Sequence, residues 1–190
     1  MFLLYAVVIA LAIGLVAGGR PAGLARLEFR WAPLVVIGFA TQLVLFSEPV
    51  SDRVGDAGPA VYVGSTVLVL LAVLRNVGLP GLPLVAVGSM SNLAAIVAND
   101  GYMPAAAAAK AALGRSAPVT YSNSAIVDAP NLAPLTDIFA LPAGLPFANV
   151  FSAGDVLIGA GVVVAIVAAM RAGRPVHRGT SPWRLRRGST

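Results

Sequence analysis

Five apolar stretches, at about 2–17, 31–46, 60–74, 80–98 and 150–170, dominate the sequence and leave it few ways to fold. Each is bounded by Gly, Pro or charged residues. A hydrocarbon core about 30 Å thick is crossed by a helix of roughly 20 residues, so stretches of this length are the right size once interfacial residues are added at their ends. In lipid every backbone N–H and C=O must be satisfied within the structure, which makes such stretches helices. Composition agrees: 58% of the 190 residues are hydrophobic and 11% are charged, against about 25% charged in a soluble domain. The expected fold class is therefore an all-α membrane protein with five transmembrane helices.

The basic residues orient it. Arg20, Arg26 and Arg30 fill the first loop, Arg75 the third, and Arg171, Arg174, Arg178, Arg184, Arg186 and Arg187 the C-terminal end. Only Arg53, Lys110 and Arg115 fall on the other side, with Glu48, Asp52, Asp56, Asp100, Asp128, Asp137 and Asp155. Basic loops stay in the cytoplasm, so the expected topology is N-out/C-in in a bacterial inner membrane. A single membrane domain over 1–172 is then followed by a basic cytoplasmic tail, 173–190. The net charge of +5 reads as a topology determinant near anionic headgroups rather than as a nucleic-acid surface, with Trp183 placed to touch the interface. The first stretch has no basic residue before it, unlike a signal peptide, and is expected to be a retained helix. Its Gly14 and Gly18 form a GxxxG pair that would admit a close neighbour.

Chemistry is tightly bounded. There is no cysteine, and the one histidine, His177, lies in the tail. Thiolate chemistry is excluded, and no metal site or cofactor is expected. The long extracytoplasmic loop between helices 4 and 5, 99–150, carries six prolines. Within it Pro104–Leu113, stopped by Gly114, reads as a short helix with Pro at its start, and 115–134 as irregular. Leu135–Phe151 turns apolar again but is broken by Pro142 and Pro146, which predicts a lid or shallow re-entrant segment lying on the outer leaflet.

Polar residues within the stretches gather in the outer halves: Thr41 and Gln42; Tyr62, Ser65 and Thr66; Ser89, Ser91, Asn92 and Asn99; Ser152 and Asp155. Asn92 would lie about 10 Å below the outer end of its helix. At that depth polar side chains either face a wet cavity or bond one another across helices, at about 0.6 kcal/mol each. The expected pocket residues are Gln42, Asn92, Asn99 and Ser152. Two acids complete the inventory. Ser152-Ala153-Gly154-Asp155 fits a capping box, and Asp137 a turn acid. Brought together, two such carboxylates could also share a proton and activate water.

At Asn99-Asp100-Gly101-Tyr102-Met103-Pro104, Leu135-Thr136-Asp137-Ile138-Phe139 and Phe151-Ser152-Ala153-Gly154-Asp155 the chain resembles a bacterial membrane-protein family known as a domain of unknown function (5317), over its whole length. The last four helices are more distantly similar to lipoprotein signal peptidase, an aspartic peptidase that works at the outer face of the inner membrane. Ser91-Asn92-Leu93 stands for that family's Gly-Asn-Leu, Thr136–Phe139 for its first catalytic Asp motif, and Phe151–Asp155 for its Phe-Asn-x-Ala-Asp. Ser152 and Gly154 replace the Asn and Ala of the last motif, and the Asp-Arg after Asn-Leu is Ala94-Ala95 here. That likeness implies Asp137 and Asp155 as catalytic residues, with Asn92 and Gln42 in support. The expected function is binding of a lipid, a lipid-linked or peptide ligand, or a partner protein in an outward-facing polar pocket. An aspartic peptidase-like hydrolase is the alternative. A minimal transporter ranks last, because the inner halves offer no polar path.

Overall fold

A computed structural model describes residues 2–113, 125–127 and 129–172. The basic tail with His177 and Trp183, together with Gly114, Arg115 and Asp128, lies outside the described residues. The five apolar stretches are helices: α1 (Phe2–Val16), α2 (Ala32–Leu45), α4 (Ala57–Arg75), α5 (Leu82–Ala98) and α7 (Ala153–Ala172). Between them lie the short α3 (Glu48–Ser51) and α6 (Ala107–Ala111), and two-residue strands β1 (Pro104–Ala105), β2 (Ala125–Ile126), β3 (Phe139–Ala140) and β4 (Val150–Phe151). Two helices, α4 and α7, are long and apolar enough to cross a membrane, and α1, α2 and α5 are shorter apolar helices.

Local chemistry sets the helix ends. In α1 the chain turns left-handed at Gly18 (φ 71°), and Gly19 N–H bonds the Gly14 carbonyl at 2.8 Å. In α5 Asp100 and Gly101 take positive φ, and Gly101 N–H bonds the Ile96 carbonyl at 2.9 Å. Both are Schellman closures, which satisfy carbonyls the helix leaves open. The GxxxG pair therefore divides its labour: Gly14 packs against Met170, while Gly18 ends the helix.

Helix packing runs in the spatial order α1, α7, α5, α4, α2. Small residues set its closest approaches. A Cβ on Gly88 would strike the backbone of Gly154, one on Gly161 would strike Gly81, and one on Gly38 would strike Val69. One core cluster joins Val73, Leu82, Val85 and Ala86 to Ile158, Val162 and Ala165 of α7; another joins Leu45, Tyr62, Ala95, Ile96 and Met103. At one end of the bundle Arg20 N–H bonds the Met170 carbonyl, and Arg30 N–H bonds Asn76 Oδ1 at the end of α4. Arg20, Arg26, Arg30, Arg75 and Arg171 thus share an end. The N-terminus of α1, the C-terminus of α5 and the start of α7 meet at the other.

That second end carries a cap built from the segment after α5. The helix expected from Pro104 begins only at Ala107, because Pro104–Ala105 is taken up as a strand, paired parallel to Ala125–Ile126. Asp137 N–H bonds the Pro104 carbonyl at 2.9 Å and Ala106 N–H the Asp137 carbonyl at 3.0 Å. β3 and β4 pair antiparallel, Phe139 opposite Phe151. The apolar segment expected as a lid is therefore a hydrogen-bonded ribbon with its turn at Pro142–Phe147.

Candidate functional site

The start of α7 holds a compact polar cluster. Ser152 is the helix cap: its Oγ accepts from Asp155 N–H at 3.0 Å, and the Asp155 Oδ2 accepts from Ser152 N–H at 3.1 Å. This reciprocal pair is the capping box expected from the spacing, with Asp155 in its third-position role. Asn92 of α5 closes a ring around it. Its Nδ2 donates to Asp155 Oδ1 and its Oδ1 accepts from Ser152 Oγ, both at 2.8 Å. Ser152 is fully buried. Gly154 makes the ring possible, because a side chain there would collide with the Asn92 amide.

The remaining expected site residues lie elsewhere. Gln42 of α2 donates to Ser65 Oγ and Thr66 Oγ1 of α4, each at 3.3 Å, and both hydroxyls in turn donate to the Tyr62 carbonyl. Asn99, at the end of α5, donates to the carbonyls of Ala95 and Asn131, and its Oδ1 accepts from Asn131 N–H. Gln42, Asn92 and Asn99 thus sit in three separate knots: α2 to α4, α5 to α7, and α5 to the cap. Asp137 is buried at 6% exposure within the cap. The β3–β4 register brings it to the same end of the ribbon as Asp155, since Asp137 precedes Phe139 by two residues and Asp155 follows Phe151 by four.

Sequence reasoning missed Asn76. Its Nδ2 donates to the carbonyls of Ala72 and Arg30, each at 2.7 Å, and its Oδ1 accepts from Arg30 N–H. The signal was an asparagine directly after the last apolar residues and Arg75, at a helix end where open carbonyls need donors.

A cavity of about 270 Å³ opens in the cap, lined by Ala106, Ala107, Val127, Pro130, Ala133, Thr136 and Ile138. None of Gln42, Asn92, Asn99 or Ser152 lines it. Its lining side chains are apolar apart from Thr136, whose hydroxyl donates to the Ala133 carbonyl. Among the described residues no three His, Cys, Asp or Glu side chains gather as a metal site would need.

No curated protein and no solved structure matches the chain. The likeness to lipoprotein signal peptidase thus has no support from these comparisons. A family of unknown function, DUF5317, matches residues 26–167, which takes in α2 to α5, the cap and most of α7. With well over half of its length matched, the chain belongs to that family.

Proposed function

We propose that the chain is an integral protein of a bacterial inner membrane that crosses the bilayer five times, N-out/C-in, and that its extracytoplasmic cap binds an apolar group of a ligand without catalysis. Large apolar side chains are exposed on every long helix: Val8 and Val16 on α1, Val36 and Leu43 on α2, Leu71 on α4, Val87 and Val97 on α5, and Val164 on α7. A water-soluble chain rarely leaves so many uncovered, and hydrocarbon is the solvent that would cover them all. The shorter helices would reach across with help from flanking residues, such as Trp31 and Phe46 at the two ends of α2, or by local thinning of the bilayer.

The observation that carries the binding role is the cap cavity, whose apolar walls suit part of an acyl chain. Its test is photo-crosslinking in nanodiscs with a phospholipid bearing a diazirine in its acyl chain, followed by peptide mapping. Label should reach Ala106–Ala107 or Ala133–Ile138, and Ala133→Trp, which fills the cavity, should remove it. Label on the long helices alone would dismiss this reading.

A second reading, an aspartic hydrolase using Asp137 and Asp155, has the β3–β4 register in its favour. The ring around Asp155 weighs against it, since both carboxylate oxygens already accept protein N–H groups. That is the hydrogen bonding of a structural cap rather than of a base aimed at a substrate.

A further inference from the structure

We infer that the ribbon turn, Pro142–Phe147, is a membrane-inserted tip that seats in the outer leaflet beside α1; this rests on the five-crossing reading above. From Ile138 to Gly154 the sequence has no charged residue. Ile138, Phe139, Leu145 and Phe147 are exposed, Phe147 at 64%. In water such a ribbon would be an unprotected apolar surface. Three contacts fix where it points. The Tyr5 hydroxyl donates to the Pro146 carbonyl. Phe2 stacks on Phe151 at 4.5 Å between ring centroids, and Phe151 on Phe139 at 5.4 Å. The turn is thereby held against the first turns of α1, whose own exposed Leu4, Val8 and Ile9 continue the apolar surface toward the bilayer centre. Tyr5 lies about 5 Å along its helix from Phe2, which is the depth of the headgroup–acyl boundary when the helix starts at the outer surface. Aromatic and apolar side chains without charge partition to that boundary. The occupant of the surface is thus the outer leaflet itself.

The chain has no cysteine, so single-cysteine variants report cleanly. Leu145→Cys, Leu43→Cys and Asp52→Cys are each labelled with an NBD fluorophore and reconstituted in phosphatidylcholine–phosphatidylglycerol vesicles. Quenching is read with lipids doxylated at acyl carbon 5 or 12. The label at 145 should be blue-shifted and lose more emission to the 5-doxyl lipid than to the 12-doxyl lipid. The label at 43, about 3 Å inside the outer end of α2, should likewise be quenched more by the 5-doxyl lipid, and the label at 52 by neither. A water-like spectrum at 145 with quenching retained at 43 would overturn the inserted tip and leave the membrane crossings standing. Loss of quenching at both 145 and 43 would overturn the crossings as well. Tyr5→Phe, which removes the tether, should weaken quenching at 145 alone; unchanged quenching would show that the tether does not set the depth.

Discussion

Two asparagines at helix ends, Asn76 and Asn99, are used in the same way. Each caps the carbonyl four residues back and clasps the backbone of a distant residue, Arg30 or Asn131, through one donated and one accepted bond. The amide is needed because it offers a donor and an acceptor on one flat group. Asn99→Asp would turn the donor that faces the Ala95 and Asn131 carbonyls into an acceptor. With the site buried, the expected cost is about 2–3 kcal/mol, read as a lowered thermal midpoint in detergent. Asn99→Ala should cost less, because it leaves groups unpaired without adding repulsion. Asp155 admits a sharper test. If it were itself the helix cap, asparagine would replace it freely. The cap is Ser152, and Asp155 accepts two N–H groups, one on each oxygen. Asp155→Asn would point an amide N–H₂ at one of those donors and should destabilise by about 1 kcal/mol, with Asp155→Ala losing both bonds and costing about 2. Equal stability of the Asn variant and the parent would show that the ring contributes nothing. The spacing of Ser152 and Asp155 made the capping box legible in the sequence, since it is local. Asn92 as its third member was not, because a partner 60 residues away depends on how two helices meet.

At the scale of elements, the contact between α5 and α7 is governed by glycine. Gly88 faces the Gly154 carbonyl and Ile158, and an alanine there would have to push two helix backbones apart. Such overpacking costs about 1–3 kcal/mol. Gly64, in the middle of α4, has nothing within 4 Å of an added Cβ, so Gly64→Ala should stabilise, by at most about 1 kcal/mol through helix propensity. Opposite signs for the two alanine variants in one unfolding assay are the expected result; a shared sign would mean that close approach is not what Gly88 provides. The sequence announced all five long helices, because an apolar run flanked by Gly, Pro and charge marks a helix whatever packs on it. It did not announce which glycine meets which helix. Gly14 and Gly18 looked equivalent, yet one packs and the other terminates. Nor could it show the cap strands: two residues are too few for a period of two to be visible, and their partners lie 10 to 21 residues away.

For the whole molecule, the decisive matter is which ends of the helices face which solvent. Charge and contact give two independent arguments. Under the proposed five crossings Arg20, Arg26, Arg30, Arg75 and Arg171 would lie in the cytoplasm, since basic loops resist translocation. Independently of charge, Arg20 N–H on the Met170 carbonyl and Arg30 N–H on Asn76 draw the first loop, the end of α4 and the end of α7 to one pole. Tyr5 on Pro146, Asn99 on Asn131 and the close approach of Gly101 to Pro59 draw the start of α1, the end of α5, the start of α4 and the cap to the other. Both divide the chain identically, as five antiparallel crossings require. A membrane-impermeant maleimide added to sealed cells should therefore label Asp52→Cys and Asp56→Cys, and should label Ala22→Cys and Val77→Cys only after lysis. If α4 and α7 alone crossed, α1 and α2 would lie on one side, yet the contacts hold their opposite ends at opposite poles of α4 and α7. Labelling of Ala22→Cys in sealed cells, or protection of Asp52→Cys, would break this arrangement, and with it the extracytoplasmic placement of the cap.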